Sequence, residues 1–196
     1  MLDRAGALGP RSTAVHATHL TGDDIELLGD TRTTACLCPT TEADLADGIG
    51  PARALTAAGC PLSLGSDSHA VVDLLAEARL TEMGERLVSG RRGSFPAEEL
   101  AQAATVAGHA CLGWPEAGEI APGAFADLVT VALDTPRLAG TQEGSALESV
   151  IFAGSAADVR TVVINGQDVV SEGRHLLVDD VPGALNAAIT PLLSRP

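Results

Sequence analysis

The chain has 196 residues, 26 of them acidic against 12 basic, for a formal net charge of -14. It contains no lysine, and a nucleic acid or an anionic membrane surface calls for a basic face that displaces counterions, so neither is expected as a partner. Apolar residues make up 45% and charged residues 19%, which excludes wholesale disorder and leaves a folded domain with a small-molecule partner as the expectation.

In chain order, residues 1–8 allow one or two helical turns, closed by Gly9-Pro10. Residues 12–17 are short and partly β-branched, the pattern of a strand. Thr21 and Asp24 have the spacing of a capping box, and Ile25, Leu27 and Leu28 give the helix that follows an apolar side. Residues 33–38 form a second strand, and 39–50 read as a polar loop without periodicity. Pro51 sits at the favoured first position of a helix that Gly59 ends. Residues 61–65 make a third strand that runs into Ser66-Asp67-Ser68-His69.

A helix is predicted over 72–88, where Leu74, Leu75, Ala78, Met83 and Leu87 fall near helical spacing, and another over 96–112. Strand followed by helix, three times over, is the signature of parallel βα units. The pattern changes near Gly113. Strands are predicted over 127–133, 147–152 and 161–165, with an Asn165-Gly166 hairpin turn and a final helix over 179–193. The fold class is therefore α/β for residues 1–115, followed over 116–196 by a small β module with a terminal helix. The whole chain is shorter than the roughly 250 residues of a complete (β/α)8 barrel.

The four cysteines do not have zinc-ribbon spacing, no apolar leader segment opens the chain, and no apolar run reaches the ~18 residues of a membrane span. A reduced, cytoplasmic protein is the expectation.

Asp67 is the most informative position. It follows a buried-type strand, where parallel βα architectures place catalytic groups, and small neighbours leave its carboxylate accessible. The same residue has the chemistry of an N-cap for the next helix. His16 ends the first strand; His19, three residues on, would face the other side if both lay in the strand, so the two are not an obvious paired metal site. His69 is within reach of the Asp67 pocket or belongs to the loop. Arg79 has the charge to attract an anionic substrate or to form a salt bridge. His109 and His175 read as structural.

Three stretches in order carry a resemblance: V-H-A-T-H-L-T over 15–21, C-L-C-P-T-T-E-A-D-L-A-D-G-I over 36–49, and L-G-S-D-S-H over 64–69. They resemble the metal-dependent amidohydrolase superfamily and, within it, the formimidoylglutamate deiminase subgroup of histidine degradation. The C-P-T-T-E and G-S-D-S-H forms favour that subgroup over deaminases acting on guanine-like, cytosine-like or triazine rings. The run over 118–129 and the closing segment over 163–175 look like the superfamily's return into its β-sandwich.

The resemblance implies the C-terminal part of a TIM (β/α)8 barrel, about strands six to eight, followed by a β-sandwich segment. It also implies one zinc ion and the hydrolysis of N-formimidoyl-L-glutamate to N-formyl-L-glutamate and ammonia. Asp67 matches the carboxylate that ligates the metal and takes the proton of the attacking water. His16 matches the histidine that helps hold substrate and hydroxide, and His69 is a further substrate-binding candidate. Zinc would lower the pKa of its water toward about 7. The family's other ligands, a His-x-His pair and a further His with a nearby Glu, have no counterpart in this sequence. The chain is thus expected to be a fragment, inactive alone, that works with the N-terminal half of a barrel; a homodimer is also implied.

Overall fold

The computed structural model describes residues 1–67 and 71–194. Strands β1 (Thr13–Val15), β2 (Thr34–Leu37) and β3 (Leu62–Leu64) form a parallel sheet in sequential order. Helix α1 (Gly22–Asp30) connects β1 to β2, and α2 (Pro39–Asp44) with α3 (Ala52–Ala57) connects β2 to β3. Helices α4 (Leu74–Ser89), α5 (Ala97–Ala104) and α6 (Val106–Cys111) follow. Thr21 closes the expected capping box with Asp24 at the start of α1.

Strand alternation divides this sheet into two faces. Ala35, Leu37, Leu62 and Leu64 point to the helices and build the core with Leu28, Leu55, Ala78, Phe95 and Leu100. Val15, Cys36 and Ser63 lie in register on the opposite face. There Val15 is 52% exposed, while Ser63 is buried beside the Cys36 thiol. Gly29 lets α1 approach α3: a Cβ there would stand 2.1 Å from the Ala58 carbonyl oxygen.

The later segment holds β4 (Leu128–Val131), β5 (Val159–Ile164), β6 (Gln167–Ser171) and β7 (Arg174–His175) in one antiparallel sheet in sequential order. Asn165 and Gly166, both at positive φ, make the expected tight turn between β5 and β6. Helix α8 (Val181–Leu193) ends the described chain with no buried residue.

Four predicted elements differ. Residues 39–44 are helix α2, not loop; its inward residues are the buried Thr41 and Glu42, so no apolar stripe announces it. The predicted strand over 147–152 is helix α7 (Ala146–Ala153), because a short apolar run fits either period and tertiary contact decides. Ile151 of α7 joins the core of the parallel module, and Arg79 of α4 donates to the Gly154 carbonyl (3.0 Å), tying down the end of α7. The single helix over 96–112 is broken at Thr105, whose φ of -124° and ψ of -91° leave the helical region. At the N-terminus only a 3-10 turn, Asp3–Ala5, forms.

Candidate active site

The three parallel strands end together, and the residues that follow them converge. His16 follows β1, the stretch from Cys38 to Glu42 follows β2, and Asp67 stands three residues beyond β3. His16 and Asp67 both adopt left-handed backbone, with φ of 66° and 51°, and Ala17 after His16 does the same at 50°. Such conformations cost non-glycine residues free energy and concentrate where function demands a particular placement.

The turns bring His16 Nε2 to 3.7 Å from Asp67 Oδ2, with both side chains about one-third exposed. Asp67 does not cap the next helix. That role belongs to Asp73, whose Oδ1 accepts from the backbone N–H groups of Leu75 and Ala76 while Oδ2 accepts from Ala156 N. The alternative role for Asp67 is thereby removed, and its carboxylate faces His16.

Glu42 is the residue that sequence reasoning passed over. It is 3% exposed, and its Oε1 accepts from Cys38 N at 2.7 Å and lies 3.4 Å from His16 Nδ1. Burial pushes its pKa up, opposed by the Cys38 N–H and by His16. The available signal was a glutamate inside a helix that Pro39 starts, on a stretch without apolar periodicity. Glu77 of α4, fully buried, accepts from both the backbone N–H and the hydroxyl of Thr40. Two buried carboxylates therefore hold the N-terminal turn of α2, where the helix dipole favours negative charge.

Cys36 and Cys38 lie against Gly65, where a Cβ would stand 3.5 and 3.3 Å from their sulfurs. A hydrogen bond from Cys38 lowers the Cys36 thiol to about 6, and the same contact together with burial raises Cys38. All four cysteines are free thiols.

His69 lies outside the described residues. His19 is exposed in the loop before α1, and His109 Nδ1 pairs with the Thr105 carbonyl oxygen in α6. Arg79 is engaged with α7 rather than with the site. Zinc sites take three or four protein ligands, and among the described residues no three His, Cys, Asp or Glu side chains are grouped to hold a metal ion. His16 and Asp67 are two donors, so the described residues do not constitute a zinc site by themselves.

Comparison with known proteins decides the family. The model of the amidohydrolase family matches residues 1–169. The chain belongs to the amidohydrolase family. It is 36% identical over 176 residues to a formimidoylglutamate deiminase from Pseudomonas aeruginosa, covering 86% of this chain and 39% of that protein. It is 33% identical over 182 residues to a 5-methylthioadenosine/S-adenosylhomocysteine deaminase from Pelotomaculum thermopropionicum, covering 91% of this chain and 42% of that protein. Among solved structures, an adenosine deaminase from Xanthomonas campestris with bound zinc superposes with a TM-score of 0.89 at 29% identity, covering 99% of this chain and 44% of that one. The chain thus spans about two-fifths of the length of the curated relatives it matches. No helix among the described residues is long and apolar enough to cross a membrane.

Proposed function

We propose that this chain supplies part of the catalytic edge of a zinc-dependent hydrolase that converts N-formimidoyl-L-glutamate to N-formyl-L-glutamate and ammonia in cytoplasmic histidine degradation. The observation that carries the reading is the approach of His16 Nε2 and Asp67 Oδ2 to 3.7 Å, at left-handed turns beyond the carboxyl ends of β1 and β3. In this reading water adds to the amidine carbon. Asp67 takes the water's proton and returns it to the departing nitrogen, while His16 stabilises the oxygen being bonded to carbon. Asp67 would also supply one ligand to a zinc ion whose remaining ligands would come from outside this sequence, and His69 would add a substrate contact.

The same reading makes residues 1–115 about strands six to eight of a (β/α)8 barrel, and 116–196 a β-sandwich segment. In its support, helices cover one face of the parallel sheet, while Val15 on the other face stays half-exposed. Parallel sheets are normally covered on both faces, and the N-terminal half of a barrel is the proposed cover. A homodimer of the completed protein belongs to the proposal as well.

The test is ammonia release from N-formimidoyl-L-glutamate. The zinc-loaded chain alone is expected to release none. A longer protein, or this chain combined with a polypeptide bearing the missing ligands, is expected to turn over, with Asp67→Asn lowering kcat by at least about 100-fold. Undiminished turnover in that variant would overturn the assignment of Asp67. A second reading, deamination of a purine ring, is favoured by the likeness to the two adenosine-type deaminases. A purine substrate turned over in preference to the amidine would establish it instead.

A further inference from the structure

We infer that Thr41 is the positioning residue for Asp67: its buried hydroxyl holds the Ser66 carbonyl, so that the peptide entering Asp67 cannot flip and the carboxylate keeps the direction that brings it to His16. This rests on the catalytic reading of Asp67 given above.

Asp67 stands where the chain has left the sheet. The last ladder bond of β3 runs from Gly65 N to the Leu37 carbonyl oxygen at 3.0 Å. At the next residue the Thr41 hydroxyl donates to the Ser66 carbonyl oxygen at 3.3 Å, from 25 residues away in the chain. A helical threonine commonly turns its hydroxyl back to its own helix, as Thr81 of α4 does with the Glu77 carbonyl at 3.0 Å. Thr41, 3% exposed, reaches out of α2 instead. Its base is fixed: Glu42 accepts from Cys38 N at 2.7 Å, and Glu77 of α4 accepts from Thr40 N at 3.0 Å. Glu42 also lies 3.4 Å from the His16 ring. Consecutive residues of one helical turn therefore touch both sides of the His16–Asp67 pair.

The hold acts on backbone strain. Asp67 has a φ of 51°, a left-handed conformation that disfavours any residue with a Cβ. The least disruptive escape is a flip of the planar peptide before it, which returns φ to negative values and leaves the flanking Cα atoms nearly in place. That flip reverses the Ser66 carbonyl, the group that Thr41 holds. A freed carbonyl would leave behind a buried hydroxyl without its partner, which adds to the cost of flipping. Side-chain rotamers depend on backbone φ and ψ, so a flipped peptide also changes the directions open to the Asp67 carboxylate. One hydroxyl thus links the backbone of Asp67 to the 3.7 Å approach to His16.

The experiment reads the Asp67 backbone by NMR in the 196-residue chain, from the Overhauser effect between its own amide and Hα protons, which is strong at left-handed φ and weak at negative φ. A strong effect is expected in the wild type and in Thr41→Ser, which keeps the hydroxyl. In Thr41→Val, which keeps the shape and loses the hydroxyl, it is expected to fall several-fold. A folded valine variant with the effect intact overturns the inference, as does a serine variant that loses it. Should the valine variant fail to fold, the wild type decides: the Ser66 carbonyl carbon is expected to shift when the Thr41 hydroxyl proton is replaced by deuterium, and no shift overturns the inference. In a completed, active protein Thr41→Val is expected to lower kcat about 10–100-fold with little change in KM, and Thr41→Ser to restore it. An unchanged kcat ends the positioning role. The spectrum and the turnover report separately: a wrong spectrum removes Thr41 with the deaminase reading intact, and a completed wild-type protein without turnover removes that reading while the tether stands.

Discussion

The parallel module and the antiparallel sheet treat similar apolar residues in opposite ways. In β2 and β3, Ala35, Leu37, Leu62 and Leu64 are at most 8% exposed, because every crossover between these strands brings a helix that packs on the sheet. In β4 and β5, Val129 is 62% and Ile164 51% exposed, and Leu185 and Leu192 of α8 are 55% and 61% exposed. The Asn165-Gly166 hairpin joins β5 to β6 without delivering a covering layer, and the long connection from β4 to β5 sends Ile151 of α7 into the core of the parallel module instead. Where the connecting helices pack, more than strand composition, decides which strands this chain buries.

Each region is also tied down by a buried carboxylate that accepts from an arginine and from backbone N–H groups, beside the apolar core in one and ahead of β5 in the other. Around α4 the tie is a buried carboxylate under an apolar core: Glu82 accepts from Arg86 Nε (2.7 Å), Gly93 N (2.8 Å) and Phe95 N (2.7 Å), which seats Phe95 in the core. Burial raises the Glu82 pKa, but the Arg86 bond and the two backbone N–H groups outweigh it and leave it below the usual value. At the start of β5 the tie is a polar clamp. Arg137 Nε and Nη2 donate to the two oxygens of Asp158 (2.9 Å each), and the Ser155 N–H and hydroxyl complete its bonding.

Four substitutions sharpen this contrast. Glu82→Ala strips the acceptor from three donors and is expected to cost about 4 kcal/mol in urea unfolding, the largest effect. Leu100→Ala, at a position with no exposure, is expected to cost about 3 kcal/mol, against less than ~1 kcal/mol for Ile164→Ala in the antiparallel sheet. Equal costs at the two positions would show that the sheet is covered in solution and would end the comparison. The smallest effect is one of pH. Arg137 holds the Asp158 carboxyl below its ordinary 3.8, against its burial and with help from Ser155. A depressed carboxylate stabilises the fold above its ordinary value and loses that contribution as pH falls below 3.8 toward the folded value. Unfolding measured from neutral to acid pH should therefore show a loss beginning near 3.8, and Asp158→Asn should flatten that part of the curve.

The positions of two candidate-site residues at strand ends were legible in the sequence. Asp67 was placed by the apolar strand before it and the small residues around it, and His16 by its position at a strand end. The Asn165-Gly166 turn was legible because only a few residue types tolerate the positive φ that a two-residue hairpin requires. Glu42 was not legible. The periodicity that reveals a helix is apolar, and α2 turns Thr41 and Glu42 inward instead. Helix α7 was misread because its apolar residues suit a strand until Ile151 meets the core beneath α4 and α5.

By itself the sequence determined the order of βα units, the hairpin, and the two residue types at the strand ends, because these follow from local sterics and from a repeat readable along the chain. Only the tertiary structure decided that Asp73, not Asp67, caps α4, that a buried glutamate stands behind His16, and that residues 146–153 form a helix. Each of those outcomes depends on atoms distant in the chain, whose approach fixes which hydrogen bonds and which apolar contacts are available.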